Sequence, residues 1–191
     1  MIFKIFGKLT RAIEFGIVCL LGRCFGIPMV VRYLRNPNPK LTASILRKYG
    51  AQIGSRTTFK RSIFIDNSFE DQNSAGDFSH LIVGDNCYIG DCVYFDLADK
   101  VVFEDNVVIS GKVSFITHAD CNRSKILEEK FPRQCAPIMV NSGAWVGFNA
   151  TILSGVQIGM NSVVASCSLL RQNAEVDTVY AGIPAIKLKS I

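Results

Sequence analysis

Two histidines are present in the chain, His80 and His118. His118 follows Thr117 and begins a long polar stretch, where a side chain can project from a scaffold into a cleft. A neutral imidazole, with an ordinary pKa of roughly 6.5, can take a proton from a hydroxyl as that hydroxyl attacks an electrophile. His118 is therefore the candidate general base. Such a base works best when an acceptor holds its other ring nitrogen. Asp120, two residues on, is the nearest candidate, a backbone carbonyl would serve equally well, and Asp99 could reach from upstream. Trp145 is the sole tryptophan. Its place in the chain pattern points it outward, which is costly unless a partner or ligand covers it.

The elements that must position these residues are written in a repeat. From Val140 in steps of six come Val146, Ile152, Ile158, Val164, Leu170 and Val176, all branched aliphatics. Four residues after the first six come Ala144, Ala150, Val156, Ser162, Ser168 and Ala174, all small or β-branched. Upstream, Val83-Gly84 and Ile89-Gly90 lead to Phe95, and after a two-residue slip Phe103, Ile109 and Phe115 resume the pattern. Weaker traces sit at Ile53, Phe59 and Ile65. A period of six matches neither a helix nor simple alternation. It fits an all-β, left-handed parallel β-helix: a triangular solenoid with one hexapeptide per face, aliphatics inside, small residues near the corners and glycines in the turns. Residues 66–79 and 117–137 lack the period and are expected as loops ejected from one edge. The expected organisation is an amphipathic helical segment over 1–44, the β-helix over 45–181 and a basic tail over 182–191.

Charge divides along the same lines. Residues 1–48 hold nine Lys or Arg and the single acid Glu14, a balance of +8, whereas the remainder has twelve bases against fifteen acids. An acidic body argues against a nucleic-acid domain. In the first helix Lys4, Lys8 and Arg11 share one side, and Ile2, Ile5, Phe6, Leu9, Ile13 and Ile17 cover another. Two occupants fit that apolar side: a membrane interface contacted peripherally through residues 1–35, or the domain itself or a neighbouring subunit. Neither apolar run, Phe15 to Leu21 or Cys24 to Val31, reaches the roughly 20 residues of a membrane span. Seven cysteines without framework spacing read as reduced thiols in a cytoplasmic protein.

The runs Ala144-Trp145-Val146-Gly147, Ile152-Leu153-Ser154-Gly155-Val156-Gln157-Ile158-Gly159 and Ala181-Gly182-Ile183-Pro184-Ala185 resemble the hexapeptide-repeat acyltransferases. The likeness extends to the maltose and galactoside acetyltransferases and the O-acetyltransferases of capsule and lipopolysaccharide synthesis, and it covers residues 45–189. It implies a homotrimer, with acetyl-CoA between adjacent prisms as acyl donor, a sugar or glycan hydroxyl as acceptor, and the loop histidine, His118, as base. It also implies that Trp145 lines the site, that the amides of Phe148 and Ser166 meet the cofactor, and that Lys187 and Lys189 lie near its phosphates. The family's acceptor-binding asparagine has no clear counterpart, because the coil before His118 is shorter, and Asp96 is expected to take that role on the substrate side together with Asp120. The family's aliphatic-Gly pairs are replaced at Phe103-Glu104 and Val140-Asn141, and Cys167 stands where many members have glycine.

Other functions on such a solenoid are distinguishable in part. A zinc site of the γ-carbonic anhydrase type needs three histidine positions, and this chain has two histidines, so no metal is expected. A non-catalytic scaffold would have little use for a loop carrying a histidine. An N-acetyltransferase acting on an amino-sugar nucleotide also needs a base, and the residues do not separate it from an O-acetyltransferase of cell-surface glycans. A membrane-bound acceptor would place the enzyme at the inner face of the cytoplasmic membrane.

Overall fold

The computed structural model describes residues 2–121 and 124–191, and only the backbone of residues 2–5, so the side chains of Ile2, Lys4 and Ile5 lie outside the described residues. The chain opens with three helices, α1 (Ile2–Phe25), α2 (Ile27–Leu34) and α3 (Pro39–Lys48). Gly26, in the left-handed region at φ 78°, separates α1 from α2, and Pro28 pre-sets the first turn of α2. Asn38 caps α3, its side-chain oxygen accepting from the Lys40 amide. The third helix runs past residue 44, expected as the end of this segment, and the first strand begins at Gln52. Val30, Val31, Leu34, Ile45 and Leu46 are buried where the helices seal the end of the β-structure.

From there the chain winds as a three-faced parallel β-helix. Its sheets hold five, seven and five strands, and successive strands move from the first face to the second to the third. Val146, Ile152, Ile158, Val164 and Leu170 are wholly buried, as are the small residues Ala144 and Ala150. Two- to four-residue strands suffice because each flat face is short and every inward side chain stacks on its equivalents one coil away. Phe95, Phe103 and Phe115 form an aromatic cluster inside, with Phe95 and Phe115 stacked at 5.7 Å and 9°.

The expected role of the glycines holds at Gly143 and Gly155, which turn at φ 73° and 76°, but not throughout. Gly147 is not in the left-handed region, and a Cβ there would lie 2.6 Å from the Ser166 amide nitrogen, so it permits close approach of two coils. The left-handed corners are taken by residues such as Asn86, Asn106, Asn149, Asn161 and Cys167, with φ between 55° and 61°.

Strand register locates the insertions. Ile53 pairs with Val83, Val83 with Phe103, Phe103 with Val140, and Val140 with Ile158. Only the last step is the ideal eighteen residues. All the excess, including the two-residue slip, falls at the corner leading from the third face to the first, so both long loops leave from that corner.

The prism ends differently from its repeat. Val176 is exposed, because the sixth coil shortens: Ala174 bridges Ile158 in its place, and Tyr180 pairs with Val164. Residues 182–191 do not leave as a tail. Thr178–Gly182 turns back into Ala185–Ser190, which pairs antiparallel with it and extends the second face. Burial of Ala185 and continued backbone pairing hold this strand in place.

Candidate active site

Thr117 and His118 lie at the insertion corner, immediately beyond the buried Phe115. The corner is fixed from three directions. The Thr117 hydroxyl donates to the Asp96 carbonyl at 3.0 Å, and the Thr117 carbonyl accepts from Ser154 Oγ at 2.8 Å and from the Ala136 amide at 3.0 Å. These bonds tie His118 to the coil before it, the coil after it and the returning arm of its own loop.

The central contact joins His118 Nδ1 to Asp96 Oδ2 at 2.6 Å. Asp96 is buried, yet its carboxylate is well satisfied. Oδ2 also accepts from the Thr117 amide at 2.8 Å and the His118 amide at 3.1 Å. Oδ1 accepts from Asn67 Nδ2 at 2.9 Å and from the Ala98 amide at 3.2 Å. Burial pushes the carboxyl up, but donation from Asn67, His118 and Ala98 outweighs it and holds Asp96 below its ordinary range. An ionised acceptor requires Nδ1 to carry the imidazole proton, which leaves the Nε2 lone pair of neutral His118 to act as a base.

This arrangement corrects the expected aspartate partner of the ring. Asp96 is held behind His118, and it is the carboxylate that meets the ring in place of Asp120 or Asp99. Asp120 forms an ion pair with Arg133, which also grips both oxygens of Asp71 at 2.8 Å. Arg133 thereby joins the 66–79 and 117–137 loops. Asp99 accepts from the Lys100 amide, and its own amide donates to Thr117 Oγ1, so it braces the corner. Asn67 was not singled out by sequence. Its left-handed backbone, at φ 53°, and its position just after the Ile63–Asp66 strand are the features that bring its amide to Asp96.

The expected cofactor residues gather elsewhere. Trp145 projects from the second face, where it pairs with Val108 and Val163, and its Nε1 donates to Ser110 Oγ at 3.0 Å. Phe148 and Ser166 lie at the next corner, both exposed, and Lys112 Nζ sits 5.5 Å from the centre of the Phe148 ring. Lys187 and Lys189 are on the added edge strand of the second face, with Lys187 paired to Glu175 at 2.6 Å. Within one chain these residues and His118 occupy different corners of the prism.

The geometry has clear counterparts. A hexapeptide-repeat acetyltransferase of Vibrio cholerae superposes with a TM-score of 0.71 at 21% identity, covering 93% of this chain and 92% of that one. A galactoside acetyltransferase solved with coenzyme A gives a TM-score of 0.69 at 19% identity, covering 92% and 82%. The fold is that of the hexapeptide-repeat acetyltransferases. The expected left-handed β-helix is thus borne out. In sequence, the chain is 29% identical over 118 residues to an Escherichia coli protein provisionally named a lipopolysaccharide biosynthesis O-acetyl transferase, WbbJ, covering 57% of this chain. The chain spans about 60% of the length of that curated relative. No protein-family model matches the chain.

Proposed function

We propose that this chain is an O-acetyltransferase that moves an acetyl group from acetyl-CoA to a sugar hydroxyl of a cell-surface glycan or its precursor. The observation that carries the proposal is the 2.6 Å contact between His118 Nδ1 and the buried, ionised Asp96, which orients the ring with Nε2 as the base. The fold shared with a galactoside acetyltransferase solved with coenzyme A supports the donor, and the sequence match to WbbJ supports a glycan acceptor.

In the proposed reaction the acceptor oxygen attacks the thioester carbonyl carbon while His118 Nε2 removes the hydroxyl proton. The tetrahedral intermediate collapses with cleavage of the carbon–sulfur bond. The imidazolium returns its proton to the departing sulfur, so free coenzyme A and an acetyl ester leave. Asp96 stabilises the imidazolium between the two steps and keeps Nδ1 as the donor.

The site is proposed to form between chains of a homotrimer in the cytoplasm. Tyr88, Val108 and Trp145 form an exposed apolar row along the second face, which closure of three prisms would cover. Closure would also set the cofactor corner of one prism, with Trp145, Phe148 and Ser166, opposite the His118 corner of the next. The lysines 187 and 189 would then serve the cofactor phosphates from the edge of the second face.

The test is thiol release from acetyl-CoA with oligosaccharide and amino-sugar nucleotide acceptors in parallel, with acetylated products identified by mass spectrometry. Ester formation on a sugar hydroxyl is expected. Amide formation on the amino sugar alone would establish the N-acetyltransferase instead, and release with neither class would overturn the proposal.

A further inference from the structure

We infer that the outward side of α1 docks on an anionic phospholipid surface. Phe6, Leu9, Ile13, Ile17 and Leu20 are each more than half exposed and recur at three- and four-residue spacing, so they form one apolar stripe along the helix. The opposite side of α1 is occupied by its own domain: Val18 is buried, and Phe15 packs against the hydrophobic core. The domain therefore does not cover the stripe. A groove of about 310 Å³ adjoins the stripe, lined by Ile13, Ile17, Val18, Leu21 and Tyr33 together with Thr10 and Glu14.

Charge selects the occupant. Glu14 is the only acid before Asp66. It faces inward, accepting from the Tyr33 hydroxyl at 2.7 Å and from Asn38 Nδ2 at 2.9 Å. Burial, with Glu14 alongside, pushes the Tyr33 hydroxyl up to about 12, so this contact stays protonated and neutral on the tyrosine side at ordinary pH. Lys8, Arg23, Arg32, Arg35 and Lys40 are all exposed. A second copy of this segment would bring together two surfaces of the same strong positive charge. An anionic bilayer offers the opposite charge together with an apolar layer for the stripe. No helix among the described residues is long and apolar enough to cross a membrane.

The test uses the full chain and flotation with vesicles of equal parts phosphatidylglycerol and phosphatidylcholine, against phosphatidylcholine alone. The wild-type chain is expected to float with the anionic vesicles at low salt, and at least tenfold less with the neutral vesicles or at high salt. The Ile13→Asp/Ile17→Asp variant, altered only at exposed positions, should float at least tenfold less while unfolding at the same temperature. Failure of the wild-type chain to float with anionic vesicles would overturn the inference, as would equal flotation of the variant. A drop in the variant's mass by light scattering, with no flotation by the wild type, would assign the stripe to a second copy. Flotation does not depend on acetyl transfer, so it remains decisive whatever the acceptor screen finds.

Discussion

At the scale of single residues, the proposed base has its support already in place. The five donors to Asp96 keep it ionised out of water, and one of them is the ring it orients. Asp96→Asn would set an amide group against the Asn67 and Ala98 donors and remove the charge that stabilises an imidazolium. We expect it to lower kcat by roughly 100-fold or more, as loss of a base's orienting carboxylate does. Nitrogen-15 spectra of the two histidines provide a readout apart from activity. The Nδ1-protonated form of His118 should give way in the variant while His80 is unchanged, and an unchanged His118 spectrum would remove Asp96 from its positioning role. The same carboxylate makes stability depend on pH. Its folded value lies below the ordinary 3.8, so its contribution is full above that value and is lost as pH falls through the lowered one. Denaturation curves below about pH 4 should therefore fall more steeply for wild type than for Asp96→Asn. Sequence made His118 legible because a histidine opening a loop in a hexapeptide solenoid has few structural uses. Its partner was hidden because a carboxylate 22 residues upstream meets it only once the coils stack across a two-residue slip. Asp120, the near neighbour in sequence, faces Arg133 instead.

At the scale of elements, the hexapeptide period made the prism legible because a buried aliphatic every six residues has one economical geometry. It failed where other forces took over. Val176 keeps the spacing but not the burial, since the shortened last coil puts Ala174 opposite Ile158 in its register. The final strand has no hexapeptide signature, because antiparallel backbone pairing with Thr178–Gly182 holds it. The loops were visible as interruptions, but their connection was not: Arg133 and Asp71 are 62 residues apart. Hydrogen bonds to charged groups contribute about 1.5–3 kcal/mol, so losing this clamp should speed local opening by about tenfold or more. We expect Arg133→Ala to accelerate hydrogen exchange in both 66–79 and 117–137 while leaving the prism strands protected. Acceleration confined to one loop would show that the clamp does not join them.

At the scale of the whole molecule, one prism holds the residues of the proposed site apart, and neighbouring chains of the proposed trimer would bring them together. Light scattering at micromolar concentration should give the mass of three chains, about three times 21.0 kDa. A monomer would contradict a site shared between prisms. The apolar stripe of α1 would then give the assembled particle several membrane contacts, each on a helical segment separate from the catalytic corner. The assembled molecule is proposed to transfer acetyl groups with His118 as base. This role is tested most directly by the rate of acceptor-dependent thiol release from acetyl-CoA, compared between wild type and His118→Ala at the same measured mass. General-base contributions of about 10²–10⁴-fold predict at least a 100-fold fall in kcat for the variant. A variant turning over within tenfold of wild type would contradict the account.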